Sequence, residues 1–183
     1  TAASDPELVR STVEEIVRLG SDRKSWLVFS SGVNHANMLA DEFEAHDIDV
    51  GVVTGTDSSA VREKTIADFK SGELQCLINV NVLTTGFDHP AVDLVALVRA
   101  TASTGLYVQM VGRGTRIADG KENCLILDYG QNVERHGFID QVKPKDKMSS
   151  GDGVAPTKQC EKCQTMVHAA CQICPECGFE FPA

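Results

Sequence analysis

The sequence predicts an α/β fold: a parallel sheet flanked by helices on both faces, with a small cysteine-bearing tail. Three observations carry this. Short, continuous apolar runs alternate with amphipathic stretches of helical spacing, the pattern of strands buried on both faces. The chain's 183 residues suffice for one full-sized domain plus an appendage and exclude two large domains. Five of the 7 cysteines crowd between Cys160 and Cys177, beyond a stretch with almost no large apolar residue.

Taken in order, Ser4-Asp5-Pro6-Glu7 predicts a helix start, with Ser4 as cap, Glu7 three residues on and Pro6 suited to the first turn; the helix runs to about Gly20. Trp26 to Ser30 is a strand ending at Ser31-Gly32. It leads into a helix whose Ala36, Leu39, Ala40 and Phe43 share a face. Val50 to Val53 is the second strand, and Val61, Ile66 and Phe69 mark a helix that Ser58 can cap and Gly72 can stop. Cys76 to Val80, Leu94 to Val98 and Cys124 to Leu127 complete the strands, with a short helix from Leu106 to Val111. Lysines, Ser149-Ser150, Gly151, Gly153 and Pro156 then make residues 143–158 a linker between a lobe spanning residues 1–142 and a tail spanning residues 159–183.

Composition is ordinary for a globular chain, with 42% hydrophobic and 23% charged residues, and no apolar run is long enough to cross a bilayer. The absence of a basic segment followed by an apolar one at the start predicts a cytoplasmic setting, and a first residue other than Met suggests a processed or truncated chain. The net charge of −9 excludes phosphate binding by bulk positive potential. It leaves open a local site built from backbone amides, helix ends and a few arginines.

In a parallel sheet the loops at the carboxyl ends of the strands are the first places to search for a site, here after Ser30, Val53, Val80 and Val98. Neither Gly-rich phosphate signature is present: Ile117 stands where a dinucleotide fingerprint needs its third glycine, and there is no Walker A sequence. What occurs instead is Gln109-Met110-Val111-Gly112-Arg113-Gly114-Thr115-Arg116. Helical spacing would bring both guanidiniums to one face, and Gly112 leaves the backbone open to approach. A solvated helix end, with arginines against the negative pole of the dipole, accounts for the same residues.

Gln109-x-x-Gly112-Arg113-x-x-Arg116 resembles motif VI of superfamily 2 helicases. It has company in the expected order: Asn79 to Asp88 is similar to motif V, and Trp26 to Ala36 to motif IV. Leu127-Asp128-Tyr129-Gly130 through Gly137 brings the likeness nearest to RadD-type bacterial DNA helicases, which act in DNA repair. The resemblance implies the second of two RecA-like lobes, with ATP and Mg2+ bound jointly with a first lobe that would precede this one in the same chain. Arg113 and Arg116 would be arginine fingers facing the γ-phosphoryl group, and Gln109 would orient nucleotide or motif partners. Gly86 would allow close approach and Asp88 would contact the ribose, although a loop carboxylate beside His89-Pro90 is the simpler reading of Asp88 taken alone. Thr84 and Thr85 would donate to a nucleic-acid phosphate, joined by Ser31, Gly32 and His35 of motif IV and by Thr54 and Gly55 near the strand. Ser31, Gly32, Thr54 and Gly55 are equally ordinary strand-end and turn residues. Gln109 in place of histidine departs from the DEAD-box RNA group and weakens an RNA-specific reading.

In the tail, Cys160-x2-Cys163 followed by Cys174-Pro175-Glu176-Cys177-Gly178 has the spacing of two knuckles closing one tetrahedral Zn2+ site. Cys171 and His168 lie close enough to compete as ligands, and a redox disulfide pair is the alternative chemistry. The tail resembles the zinc ribbon that ends RadD-type proteins. Cys76 and Cys124, isolated in apolar runs, read as small core residues. The expectation is therefore the C-terminal motor lobe of an ATP-dependent DNA helicase or translocase, without ATPase of its own. Its ribbon would dock on DNA or a protein partner. The rival is a non-catalytic RecA-like scaffold whose ribbon recruits a partner.

Overall fold

A computed structural model describes residues 5–82, 87–142 and 157–181. Helix α1 spans Pro6–Leu19 and is followed by strand β1 (Trp26–Ser30), α2 (Val33–Ala45), β2 (Val50–Thr54), α3 (Ser59–Ser71), β3 (Cys76–Val80), β4 (Leu94–Val98), α4 (Thr104–Gly112), β5 (Leu125–Asp128) and α5 (Asn132–His136). The five strands pair in the order β2-β3-β1-β4-β5, and every pairing is parallel. This is the α/β architecture expected.

Both faces of the sheet are covered, which is why its strands are continuously apolar. On one face Trp26, Val28, Ile78, Leu94 and Ala96 pack under Val9, Val13 and Ile16 of α1 and Leu39 and Phe43 of α2. On the other, Leu27, Phe29, Leu77, Val95 and Leu97 meet Phe69 of α3 and Tyr107, Met110 and Val111 of α4. Burying each such large side chain contributes roughly 1.5–3 kcal/mol, and the two layers together fix the strand register.

Local signals set the helix ends. Ser58 Oγ accepts from Val61 N–H, and Gly72 closes α3 in the left-handed region at φ 87°. The α1 cap is Asp5, whose carboxylate accepts from Glu7 N–H, where the sequence pointed to Ser4, a residue outside the described ones. Val61 is not on the buried face of α3: it is 54% exposed, and Phe69 does the packing. The last strand begins at Leu125 and ends at Asp128, one residue later than expected at each end.

Beyond residue 142, residues 143–156 of the expected linker lie outside the described residues, and Thr157 and Lys158 already belong to β6 (Thr157–Gln159), which pairs antiparallel with β7 (Met166–His168). Among the described residues no helix is long and apolar enough to cross a membrane.

Candidate functional site

Because all five strands are parallel, their carboxyl ends lie on one edge of the sheet and their amino ends on the other, about 17 Å away for five residues at roughly 3.3 Å each. The sequence-predicted residues divide between these edges.

Arg113 and Arg116 are at the amino edge, not at the carboxyl edge where a parallel sheet is usually searched. The reason is the path of the chain: β4 runs up and α4 returns, so the turn after α4 reaches the beginning of the sheet. Gly114 seats this turn, since a Cβ there would run into Cys124 Sγ and lie 2.9 Å from Val95 Cγ2. The chain before β4 reaches the same place. Phe87 is 4% exposed and stacks on Phe69 with ring centroids 6.2 Å apart, which fixes the backbone that presents Asp88.

The two segments meet through the arginines. Arg113 Nη1 donates to the Phe87 carbonyl oxygen, and Arg116 Nη1 pairs with Asp88 Oδ1. Partial burial, and then the adjacent Arg116, push the Arg113 pKa down while Asp88 opposes the shift. Phe87, Asp88, Pro90, Arg113, Arg116 and Ile117 line an open depression of about 420 Å³. Ile117, 95% exposed, stands at its rim. Gln109 is exposed on α4, one turn before Arg113, and Gly112 faces open space. Such an open depression presents two planar cations and a carboxylate side by side.

The carboxyl edge carries the other group. Ser31 is exposed and its Oγ lies 2.8 Å from Nδ1 of His35. His35 itself is 6% exposed, and burial pushes its pKa down, so the imidazole is a neutral support and Ser31 the member that faces solvent. Gly32 caps α2 without a side chain in the way. Thr54 is buried and donates its N–H to Asp57 Oδ2 at 2.6 Å, while Gly55 is exposed. Thr84, Thr85 and Gly86 lie outside the described residues. Of the described residues between β3 and β4, Asn81 pairs through Oδ1 with Arg99 Nη1 at the carboxyl edge, and Phe87 to Pro90 lie at the amino edge.

Also at the carboxyl edge is a buried network that sequence reading missed. Asn132 is fully buried: its Nδ2 donates to the Arg99 carbonyl at 2.9 Å and to Asp128 Oδ1 at 2.8 Å, and its Oδ1 accepts from Thr101 N–H at 2.9 Å. His136 stacks on Tyr107 and bridges the Thr104 hydroxyl and the Thr101 carbonyl. The network ties the start of α4 to the end of β5.

In the tail the sulfur atoms of Cys160, Cys163, Cys174 and Cys177 lie within 4.8 Å of one another. Two closely matched turns present them. Gln164 N–H donates to the Cys160 carbonyl and Gly178 N–H to the Cys174 carbonyl; Cys160 N–H donates to Thr165 and Cys174 N–H to Phe179. The residue after each second cysteine, Gln164 at φ 60° and Gly178 at φ 69°, turns the chain in the left-handed region. All seven cysteines are free thiols. The Cys160–Cys177 and Cys163–Cys174 sulfur separations are both 3.6 Å, near the roughly 3.8 Å edge of a tetrahedron with 2.3 Å metal–sulfur bonds. The residues therefore fit a four-thiolate metal centre. His168 Nδ1 accepts from Ala170 N–H, and neither it nor Cys171 belongs to the converging set.

The family model for the helicase conserved C-terminal domain matches residues 9–118. A Schizosaccharomyces pombe protein described as a mitochondrial ATP-dependent helicase, irc3, is 38% identical over 115 residues, covering 63% of this chain and 19% of the relative. The chain thus spans about a fifth of that relative's length. The Escherichia coli DEAD-box protein SrmB, solved with the regulator RraA, superposes with a TM-score of 0.61 at 18% identity, over 81% of this chain and 94% of that one. The Mycobacterium smegmatis helicase Lhr, solved with single-stranded DNA and AMP-PNP, gives a TM-score of 0.55 at 29% identity, covering 64% of this chain and 16% of that one.

Proposed function

The chain belongs to the helicase conserved C-terminal domain family, and from that premise we propose that it is the second RecA-like motor lobe of an ATP-dependent DNA helicase or translocase of RadD type. The observation that carries the reading is the convergence of Arg113 and Arg116 on Phe87 and Asp88 around an open half-pocket. A phosphoryl group held by a preceding lobe with Mg2+ would meet both guanidiniums across the cleft, and charge placed there is worth ~10³–10⁵ in rate in related NTPases. Asp88, released from Arg116, would turn to the ribose, and Gln109 and Gly86 would border the nucleotide. The exposed Asp88–Arg116 pair contributes at most about 1 kcal/mol, so its exchange for a phosphate is easy.

Ser31, Gly32, His35, Thr54, Gly55, Thr84 and Thr85 would follow a nucleic-acid backbone along the carboxyl edge, His35 through Ser31. The connection between β3 and β4, touching both edges, would couple strand binding to ATP. We read the strand as DNA because Gln109 stands where the DEAD-box RNA group has histidine. The four thiolates would hold one structural Zn2+, in a reducing setting that we read as cytoplasmic, and the ribbon would dock on DNA or a protein partner.

The test uses the full-length protein. DNA-stimulated ATP hydrolysis is expected, and Arg116→Ala should lower kcat at least ~10²-fold without unfolding the lobe. Arg116→Lys should recover little, because a point charge lacks the fork that spans two phosphate oxygens. A lowered melting temperature with normal turnover per folded molecule would make Arg116 a structural residue and refute the finger.

A further inference from the structure

Lys121 lies half-buried in the turn that leads into β5. Its Nζ donates to three backbone carbonyl oxygens: Pro90 at 3.0 Å, Gly114 at 2.7 Å and Arg116 at 2.8 Å. An ammonium group has three protons and no acceptor, so this set saturates it. The carbonyls come from both segments of the half-pocket. Pro90 belongs to the chain that carries Phe87 and Asp88; Gly114 and Arg116 belong to the turn after α4.

These segments are joined in two ways that differ in kind. The side-chain links, Arg113 to Phe87 and Arg116 to Asp88, use the same guanidiniums that a phosphate would draw away. The Lys121 links use only backbone oxygens and involve neither guanidinium. Gly114, seated against Cys124 and Val95, pins the same turn to the sheet from the other side.

We propose that Lys121 is the positioning residue of the arginine site: it holds the backbone of Arg116 at a fixed separation from Pro90, so that the guanidinium changes partner while its root stays in place. The proposal rests on the reading of Arg116 as a phosphate-facing residue. A lysine suits the task because three rotatable N–H donors on one atom can converge on three carbonyls, whereas the planar guanidinium of arginine spreads its donors in a fork. Displacing a catalytic group by about 1 Å can cost up to ~10²-fold in rate, and that sets the scale of the expected effect.

The experiment measures steady-state ATP hydrolysis of the full-length protein for wild type, Lys121→Met, Lys121→Arg, Arg116→Ala and the double variant Lys121→Met/Arg116→Ala, with thermal melts of each. Both single Lys121 variants should lose about 10- to 100-fold in kcat while KM for ATP moves less than about threefold. In the Arg116→Ala background, Lys121→Met should cost no more than about twofold further, because a group that acts through Arg116 has nothing left to position. Full activity in Lys121→Arg would show that charge, not the three-carbonyl geometry, is what matters. A fully additive double variant, or a KM effect at unchanged kcat, would also overturn the proposal. If Lys121→Met does not fold, Lys121→Arg alone decides between geometry and charge. An inactive wild type, or Arg116→Ala with normal kcat, would instead bring down the motor-lobe reading, and this proposal with it, before any Lys121 variant is compared.

Discussion

The two edges of one sheet treat their polar groups in opposite ways. At the carboxyl edge, Asp128, Thr101 and the Arg99 carbonyl gather around a fully buried Asn132, at 0% exposure, with Thr101 buried as well and Asp128 half-buried. At the amino edge, Arg116 and Asp88 pair in the open, their side chains 37% and 70% exposed. Burial makes the first arrangement costly to break, because a broken partner leaves a desolvated group unpaired. Exposure makes the second cheap, because water and salt take over. The carboxyl edge is thus costly to rearrange beneath the candidate strand-facing residues, whereas the amino edge can exchange the partners of its cations at small cost, as the proposed role of Arg116 requires.

The largest effect that would sharpen this contrast is expected from Asn132→Ala. It removes a fully buried residue that satisfies the Thr101 N–H, the Arg99 carbonyl and Asp128, and leaves each of them one partner short around a small void. Some relaxation and water entry will soften the loss, so the expected destabilisation is about 2–4 kcal/mol. Denaturant unfolding of this chain, followed by a signal from the lobe such as Trp26 fluorescence, measures it. A change under about 0.5 kcal/mol would mean that the network is not what holds α5 and the start of α4 to the sheet.

The tail offers a second contrast, between a core-built region and a ligand-built one. Its buried set among the described residues is Cys160, Val167 and Cys174, backed by the Phe179–Phe181 pair, far too little for a hydrophobic core. Chelation should therefore unfold the tail and leave the lobe's melting unchanged. Elemental analysis should find one Zn2+ per chain, lost in Cys174→Ser and kept in Cys171→Ser. A tail whose amide exchange protection is the same with and without chelator would show that it needs no metal.

The strands and most helix ends could be read from sequence because each is set locally: two-sided burial gives continuous apolar runs, and Ser58 and Gly72 are capping signals in their own right. What could not be read depends on distant partners. Helix α5 has five residues and no apolar periodicity, and it is held by Asp128, whose carboxylate accepts from Val133 N–H at 2.7 Å. The motif pattern puts His35 beside Ser31 and Gly32 facing a nucleic-acid strand, but its burial behind Ser31 depends on the tertiary packing of α2. Lys121 carries no local signature, since its three acceptors are backbone carbonyls that any residues could supply. Motif VI was legible as a pattern, but its edge of the sheet was not, because that follows from the return path of α4.

The smallest expected effect is the most direct measure of the difference between the edges. Asp88→Ala removes the exposed carboxylate that pairs with Arg116 and leaves the guanidinium free in water, so the folding stability of this chain should change by less than about 1 kcal/mol. Raising the salt from low to about 1 M should shrink even that difference, since the screening length falls to about 3 Å. The Asn132→Ala penalty should be far less sensitive to salt, because most of its cost is the loss of hydrogen bonds between neutral groups around a fully buried side chain. Urea unfolding of both variants at two salt concentrations gives the comparison in one experiment. A salt-insensitive loss of 2 kcal/mol or more from Asp88→Ala, taking roughly that figure as the mark of a buried partner, would show that the Arg116–Asp88 pair is structural. The amino edge would then be as rigidly committed as the carboxyl edge, and Arg116 would be unable to leave Asp88 for a phosphate at small cost.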